Sequence, residues 1–128
     1  MKEDFFSGFN DNPFHKYLGL TLVEVRPDHV RLRLVKTETT PTGVVATIVD
    51  MAGVAAVFSN LNEGAVPAGT ADLNVTYLRQ AQGAWVDAKA EVIKRGKQLC
   101  AVEVSIVNED GQVSARGRVL YAFKAAPG

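Results

Sequence analysis

The sequence predicts a two-layer α+β domain, in which an antiparallel sheet of about six strands wraps one long central helix. Three observations predict this fold class. The stretch 44–60 is almost entirely apolar or small and carries a single charge. Segments that alternate apolar and polar residues lie on both sides of it. Turn-forming residues separate those segments at short intervals.

Bulk composition fits a single domain that spans residues 1–128. Of the 128 residues, 47% are hydrophobic and 22% are charged, and the formal net charge is zero. A neutral chain gives no electrostatic reason to expect a nucleic acid or an anionic membrane as partner. Cys100 is the only cysteine, so no internal disulfide can form. With no secretory signal in MKEDFFSGFND, we expect a cytoplasmic protein.

The N-terminal part predicts two short helices. Residues 2–9 place three phenylalanines at helical spacing on one face. Asn12 followed by Pro13 is typical of a helix start, and Gly19 is placed to end that second helix. A hairpin should follow, because residues 20–26 and 30–36 alternate on either side of a Pro-Asp turn.

The apolar stretch itself predicts a buried helix. A helix that is apolar on all sides is normally covered on most of them. Residues 37–42 form a polar loop before it, Thr42 is a candidate N-cap, and Gly43 allows close backbone approach. Burying the lone carboxylate of Asp50 costs several kcal/mol unless it is paired. The run is also shorter than the roughly 20 residues a membrane span needs, so no membrane insertion is expected.

Four further alternating segments predict four more strands, which we expect to form a consecutive meander. These segments are residues 69–80, 84–94, 97–107 and 112–123. The sheet keeps free edges and an uncovered face, which favours an oligomer.

Five segments together resemble the hotdog-fold acyl-CoA thioesterases of the phenylacetate-degradation branch. They are NPFHKYLGL, TGVVATIVDMAGVAA, GTADLNVTYLRQA, VIKRGKQLCAVEVSIVNEDGQ and ARGRVLYAF. The resemblance extends from about Asn12 to Phe123. It implies hydrolysis of an acyl-CoA by a homodimer or homotetramer, with no cofactor, since coenzyme A is part of the substrate.

The resemblance also implies site residues. Family members enter the helix through a His-Gly-Gly turn and carry an acid about two turns later. Asp50 matches the acid and Gly43 the second glycine, whereas Pro41 and Thr42 replace the histidine and the first glycine. The loop asparagine common in the family has no clear counterpart in KTETTPT. Thr70 matches a strand hydroxyl that orients the acid or the attacking water, and we expect it to come from the partner subunit, with a threonine present only for its strand propensity as the alternative.

These residues suit thioester chemistry. Asp50 would act as general base or nucleophile, with a carboxylate that is only paired across a dimer interface as the alternative. Free backbone N–H groups at the helix start, around Thr42 and Gly43, would polarise the carbonyl. Gly43 precedes Asp50 by about two turns, so both fall on one side of the helix.

Substrate-binding residues are expected on both sides of that centre. The basic turn at Arg95, Gly96 and Lys97 resembles the segment near the nucleotide of coenzyme A, with a solvated hairpin tip as the alternative. His15 is a candidate to line the groove, with packing or capping as the alternative. Two histidines and no cysteine cluster give a metal site little support.

Four functions remain open. The leading one is an acyl-CoA thioesterase. A non-catalytic acyl-CoA-binding module is the alternative, because the usual His-Gly before the helix is missing. A hydratase or dehydratase is disfavoured, because neither histidine is expected near the helix. A purely structural dimer is the residual option.

Overall fold

The computed structural model describes residues 2–36 and 43–124, with side chains from Phe5 onward. It has the predicted α+β architecture, a six-stranded antiparallel sheet with one long helix on one face. In chain order, the elements are α1 (Lys2–Ser7), a 3₁₀ turn (Phe9–Asp11), α2 (Pro13–Leu18), β1 (Leu20–Arg26), β2 (His29–Val35), α3 (Gly43–Phe58), β3 (Val66–Tyr77), β4 (Trp85–Arg95), β5 (Leu99–Asn108) and β6 (Val113–Lys124). The predicted loop 37–42, with its cap candidate Thr42, lies outside the described residues.

Helix α2 forms where the sequence predicts it. The Asn12 side chain accepts hydrogen bonds from the backbone N–H of Phe14 at 2.9 Å and of His15 at 3.4 Å. These bonds satisfy amides that have no partner inside the helix. Gly19 ends α2 with φ of 81°, a left-handed conformation that favours glycine. This capped turn fixes the N-terminal segment beside β1.

The strand order corrects one prediction. The sheet runs β1-β2-β4-β5-β6-β3, so β4, β5 and β6 form a meander, but β3 does not pair with β4. Instead β3 pairs with β6 at the far edge, and residues 78–84 bring the chain back to β4, between β2 and β5. Residue alternation indicates which face a side chain takes, but it carries no information about which strand lies alongside.

Helix α3 packs against one face of the sheet, and the core lies between them. Two glycines allow the close approach. A Cβ on Gly53 would lie 2.6 Å from a methyl carbon of Val119, and a Cβ on Gly117 would lie 2.4 Å from one of Val49. Both are closer than packed carbon atoms can come, so the absence of a side chain sets the distance between helix and sheet. Within the part of the chain that is described, no helix is long and apolar enough to cross a bilayer.

The opposite sheet face carries a buried ion cluster. Asp87 on β4 is 1% exposed. The Arg33 Nε donates to its Oδ1 at 2.8 Å, and the Arg31 Nε donates to its Oδ2 at 2.6 Å. The Arg33 guanidinium also lies 3.8 Å from the centre of the Trp85 ring. Burial alone would raise the pKa of Asp87, but hydrogen bonds and charge from the two arginines outweigh it and lower that pKa.

Candidate active site

Asp50 lies near the middle of α3, half-buried, with its side chain paired to β3. The Thr70 hydroxyl donates a hydrogen bond to Asp50 Oδ1 at 2.7 Å. The predicted pairing of these two residues is present, but both belong to the same chain. A contribution of Thr70 from the partner subunit stays a prediction, and within one chain Thr70 already reaches Asp50. The reason for this contact is the position of β3, which lies at the sheet edge beside β6.

A β-bulge directs Thr70 toward the helix. Thr70 pairs with Tyr121 and Asp72 pairs with Leu120, so Ala71 is the extra residue in β3. Tyr121 is buried under the helix, whereas Asp72 lines a polar depression on the open face. A regular strand would have placed Thr70 and Asp72 on the same face. The bulge separates them and leaves only Thr70 within reach of Asp50.

Tyr121 is a neighbour of Asp50 that the sequence did not single out. It is buried on β6, where its ring packs edge-on against Phe58 and Phe123. Burial raises the pKa of Tyr121, and the negative charge of Asp50 raises it further. The phenol therefore stays protonated and uncharged beside the carboxylate. The alternation of β6 together with the pairing of β6 to β3 would have identified Tyr121 as a neighbour of Asp50.

A cleft opens beside Asp50, between α3 and the N-terminal segment. Its volume is about 480 Å³, within the range of small-molecule sites. Most of the lining is aromatic or aliphatic, and a few polar side chains interrupt it. The lining residues are Phe5, Gly8, Phe9, Asn12, His15, Asp50, Met51 and Val54. The aromatic N-terminus thus forms one wall of the cleft.

His15 shares this cleft with Asp50. Its Nδ1 lies 2.7 Å from the carbonyl oxygen of Phe9, and its ring centre lies 4.0 Å from that of Phe9. The expectation that neither histidine would lie near the long helix is wrong for His15, because it lines the same cleft as Asp50, Met51 and Val54 of α3. His29 is remote from the cleft: it starts β2 and pairs with Glu91 on β4, with 3.3 Å between Nδ1 and Oε1.

The helix start is the predicted source of oxyanion donors. Helix α3 begins at Gly43, which is exposed, and its first backbone amides have no partner within the helix. Seven residues separate Gly43 from Asp50, which places both on one side of α3. Gly43 itself is outside the set of residues that line the cleft. Thr42, the other predicted donor, is not among the described residues.

The three residues of the predicted basic turn do not all face the solvent. Arg95 points inward, and only 11% of its side chain is exposed. Its Nη2 donates to Asp28 Oδ1 at 2.7 Å and lies 3.5 Å from the carbonyl oxygen of Ala56 near the end of α3. This ion pair and the negative end of the helix hold the guanidinium inside, which speaks against the predicted phosphate contact.

The other two residues of that turn stay near the surface. Lys97 is exposed, and Gly96 lines a separate shallow depression together with Leu99 and Ala101. None of the three predicted carrier-binding residues of this turn lines the cleft of Asp50 within one chain.

Other reactive groups do not form a second centre. Among the described residues, no cluster of three or more His, Cys, Asp or Glu could hold a metal ion. Cys100 is fully buried in β5, and burial raises the pKa of its thiol. A neutral, enclosed thiol is a poor nucleophile.

Replacing Thr70 with valine should lower kcat for the acyl-CoA hydrolysis expected from the sequence. The loss should be about tenfold, the effect of losing one hydrogen bond to a charged group. Valine keeps the shape of the side chain but cannot donate to Asp50. Serine at the same position keeps the hydroxyl and should keep most of the rate. Steady-state kinetics on both variants provides the measurement. Equal rates for valine and threonine would remove Thr70 from the site.

The sequence and the fold are similar to those of known thioesterases and esterases. Residues 42–115 match the family model for the thioesterase superfamily. A Halobacterium salinarum protein named as a candidate esterase is 32% identical over 77% of this chain and 72% of its own length. A solved thioesterase-superfamily protein is 28% identical with a TM-score of 0.79, covering 93% of this chain and 95% of its own.

Another solved structure shares the fold at lower identity. A thioesterase family protein from Silicibacter pomeroyi is 24% identical with a TM-score of 0.82, covering 94% of this chain and 96% of its own. Its fold is that of the structure described above, one helix against a six-stranded antiparallel sheet. By its sequence match and its architecture, the chain belongs to the thioesterase superfamily and has the hotdog fold.

Proposed function

We propose that this chain hydrolyses acyl-CoA thioesters to a free acid and coenzyme A. Membership of the thioesterase superfamily supports hydrolysis of a thioester in general. One observation carries the finer proposal: the Asp50 carboxylate, held by Thr70 at 2.7 Å, opens onto a largely apolar cleft of about 480 Å³. A carboxylate beside an apolar cleft is suited to a substrate with an apolar acyl group and a reactive carbonyl.

The chemistry follows from the two oxygens of Asp50. Oδ1 accepts the Thr70 hydrogen bond, which leaves Oδ2 to take a proton from water. The water oxygen bonds to the thioester carbon, and the carbonyl oxygen becomes an oxyanion. When this intermediate collapses, the carbon–sulfur bond breaks and the proton on Asp50 passes to the leaving thiolate. Direct attack by Asp50 on the carbon is the alternative, with water then hydrolysing the resulting anhydride.

Backbone amides at the start of α3, which have no partner within the helix, are the proposed oxyanion donors. The helix begins at Gly43, and the positive end of its dipole favours a developing negative charge. The acyl chain would then extend away from that end, along Met51 and Val54 toward Phe5. The aromatic wall of the N-terminal segment would keep bulk water away from the chain.

A second subunit is part of the proposal. Strand β3 is a twelve-residue edge strand, and among the described strands it pairs only with β6. Pairing of two such edges would form a homodimer, and a homotetramer could follow from it. The exposed Lys97 of a neighbouring subunit is a candidate contact for the phosphates of coenzyme A. No cofactor is required, because Asp50 and water supply the chemistry.

The test is thiol release from a panel of acyl-CoA substrates that differ in chain length and branching. We expect hydrolysis of substrates with apolar acyl groups. We expect no thiol release from an analogue in which a thioether replaces the thioester. A wild type that hydrolyses none of the panel would refute the proposal.

The alternative function is an acyl-CoA-binding module without turnover. It is favoured by Pro41 and Thr42. These two residues occupy the positions at which the phenylacetate-degradation branch of thioesterases, which the sequence resembles, carries a histidine and a glycine. Calorimetry on the same panel separates the two functions. Tight binding of an acyl-CoA that stays intact over hours would select the binding module.

A further inference from the structure

We propose that His15 positions the attacking water as the second hydrogen-bond acceptor beside Asp50. The inference rests on the proposed hydrolysis and adds a residue from outside the central helix. Asp50 comes from α3 and His15 from α2, and both line one cleft because the N-terminal segment forms one of its walls.

The hydrogen bond to Phe9 selects which nitrogen of the neutral His15 ring carries the proton. The Phe9 carbonyl oxygen can only accept, so Nδ1, which lies 2.7 Å away, carries the proton. In the neutral ring Nε2 then has a free lone pair. Stacking against the Phe9 ring, with centres 4.0 Å apart, holds the plane of the imidazole. The ring is therefore oriented by two contacts that leave Nε2 unused.

Few other acceptors are available in the cleft. One Asp50 oxygen receives the Thr70 hydroxyl, so only Oδ2 remains. The side-chain oxygen of Asn12 is occupied by the backbone amides of α2. The remaining lining side chains are apolar. Oδ2 of Asp50 and Nε2 of His15 are thus the two side-chain acceptors left for a water molecule in this cleft.

A water has two protons, and two acceptors orient it completely. One O–H would point to Asp50 Oδ2 and the other to His15 Nε2, which directs an oxygen lone pair at the thioester carbon. As the carbon–oxygen bond forms, the first proton moves to Asp50 and later passes to the leaving thiolate. The second proton stays on the new carboxylic acid until that acid ionises. In this scheme His15 accepts a hydrogen bond throughout and takes up no proton.

Two variants distinguish the roles of Nδ1 and Nε2 in the His15 ring. Asparagine at position 15 has an N–H near the place of Nδ1, so it can still bond the Phe9 carbonyl, but it has no acceptor at Nε2. Glutamine is longer and offers its amide oxygen near the place of Nε2, at the expense of the Phe9 contact. We expect His15→Asn to lower kcat about 100-fold with KM little changed. We expect His15→Gln to recover most of that loss.

The matched control is His29→Asn, which removes the other histidine at a site remote from the cleft and should leave kcat unchanged. Thermal unfolding of all three variants reports whether the fold is intact. A fully active His15→Asn beside an impaired His15→Gln would show that the ring only packs against Phe9, and would overturn the inference. A raised KM with unchanged kcat would overturn it too, since His15 would then contact the substrate.

The outcomes also separate this inference from the proposed function. If the wild type hydrolyses acyl-CoA and Asp50→Asn does not, hydrolysis stands, and full activity of His15→Asn removes only the role of His15. If the wild type hydrolyses no acyl-CoA, both fall together.

Discussion

Replacing Asp50 with asparagine should lower kcat for acyl-CoA hydrolysis by about 10³-fold, within the range for loss of a general base. Asparagine keeps the size of the side chain, and its amide oxygen can still accept the Thr70 hydrogen bond. It cannot take a proton from water. The fold and the affinity for substrate should therefore remain close to those of the wild type. Thiol release under steady-state and single-turnover conditions measures the loss.

Asp72→Asn is the matched control. Asp72 follows Thr70 by two residues in β3, but the bulge places it on the open face of the sheet. The same chemical change there should leave kcat within about twofold, because surface substitutions away from a site usually have small effects. A full rate for Asp50→Asn, or an equal loss in both variants, would contradict the role given to Asp50.

Replacing Asp87 with alanine should destabilise the fold by about 3 kcal/mol, the cost of breaking a buried ion pair. The change leaves Arg31 and Arg33 side by side without the carboxylate that both now bond. We expect the lower end of the usual range, because about a third of each arginine side chain is exposed and reaches solvent. Urea unfolding of the wild type and the variant at pH 7 gives the difference in free energy.

The same pair of proteins should show a characteristic pH dependence. The arginines hold the pKa of Asp87 below its ordinary value. A carboxyl with a lowered pKa in the folded state stabilises the fold above its unfolded pKa of about 3.9, and this contribution is lost as pH falls through the folded value. The free-energy gap between wild type and Asp87→Ala should therefore be widest near neutral pH and shrink below about pH 4.

Glu63→Ala serves as the control for both measurements. Glu63 is exposed in the loop between α3 and β3, and its removal should change the free energy of unfolding by less than about 0.5 kcal/mol. If Asp87→Ala were as stable as Glu63→Ala at pH 7, the cluster would contribute nothing to the fold.

Local sequence patterns suffice for most of the architecture. Alternation and turn residues predict the strands, the apolar run predicts α3, and the Asn12-Pro13 pair predicts the start of α2. These features depend on neighbours within a few residues, so the sequence displays them directly. The order of strands depends on contacts between distant segments. The edge position of β3, and with it the same-chain pairing of Thr70 and Asp50, could not be derived from periodicity.

Two β-bulges help to set the surroundings of two predicted site residues, Thr70 and Arg95. One lies between Thr70 and Asp72 and turns Thr70 toward the helix. The other lies between Val92 and Lys94, and it places Arg95 opposite the buried Cys100 rather than at the solvent. A bulge adds one residue and exchanges the two faces beyond it. A prediction from regular alternation therefore places the residues after a bulge on the wrong face of the sheet. No residue type in these two segments marks the position of the bulge.

The cleft depends on tertiary packing in the same way. His15 and the phenylalanines of the N-terminal segment are visible in the sequence as a capped helix and an aromatic cluster. Their common position in the cleft of Asp50 follows only from the packing of the N-terminal segment in the folded chain. Asp50 itself could be identified from the sequence. Burying a lone carboxylate on an apolar helix costs free energy unless it is paired, so its presence there suggests a function.

A crystal structure of Asp50→Asn bound to a non-hydrolysable acyl-CoA analogue tests the central claim most directly. We predict that the acyl group lies in the cleft between Met51 and Phe5, with its carbonyl carbon one water molecule from position 50. An acyl group bound elsewhere on the protein, with the cleft beside Asp50 empty, would contradict the claim that this carboxylate meets the substrate.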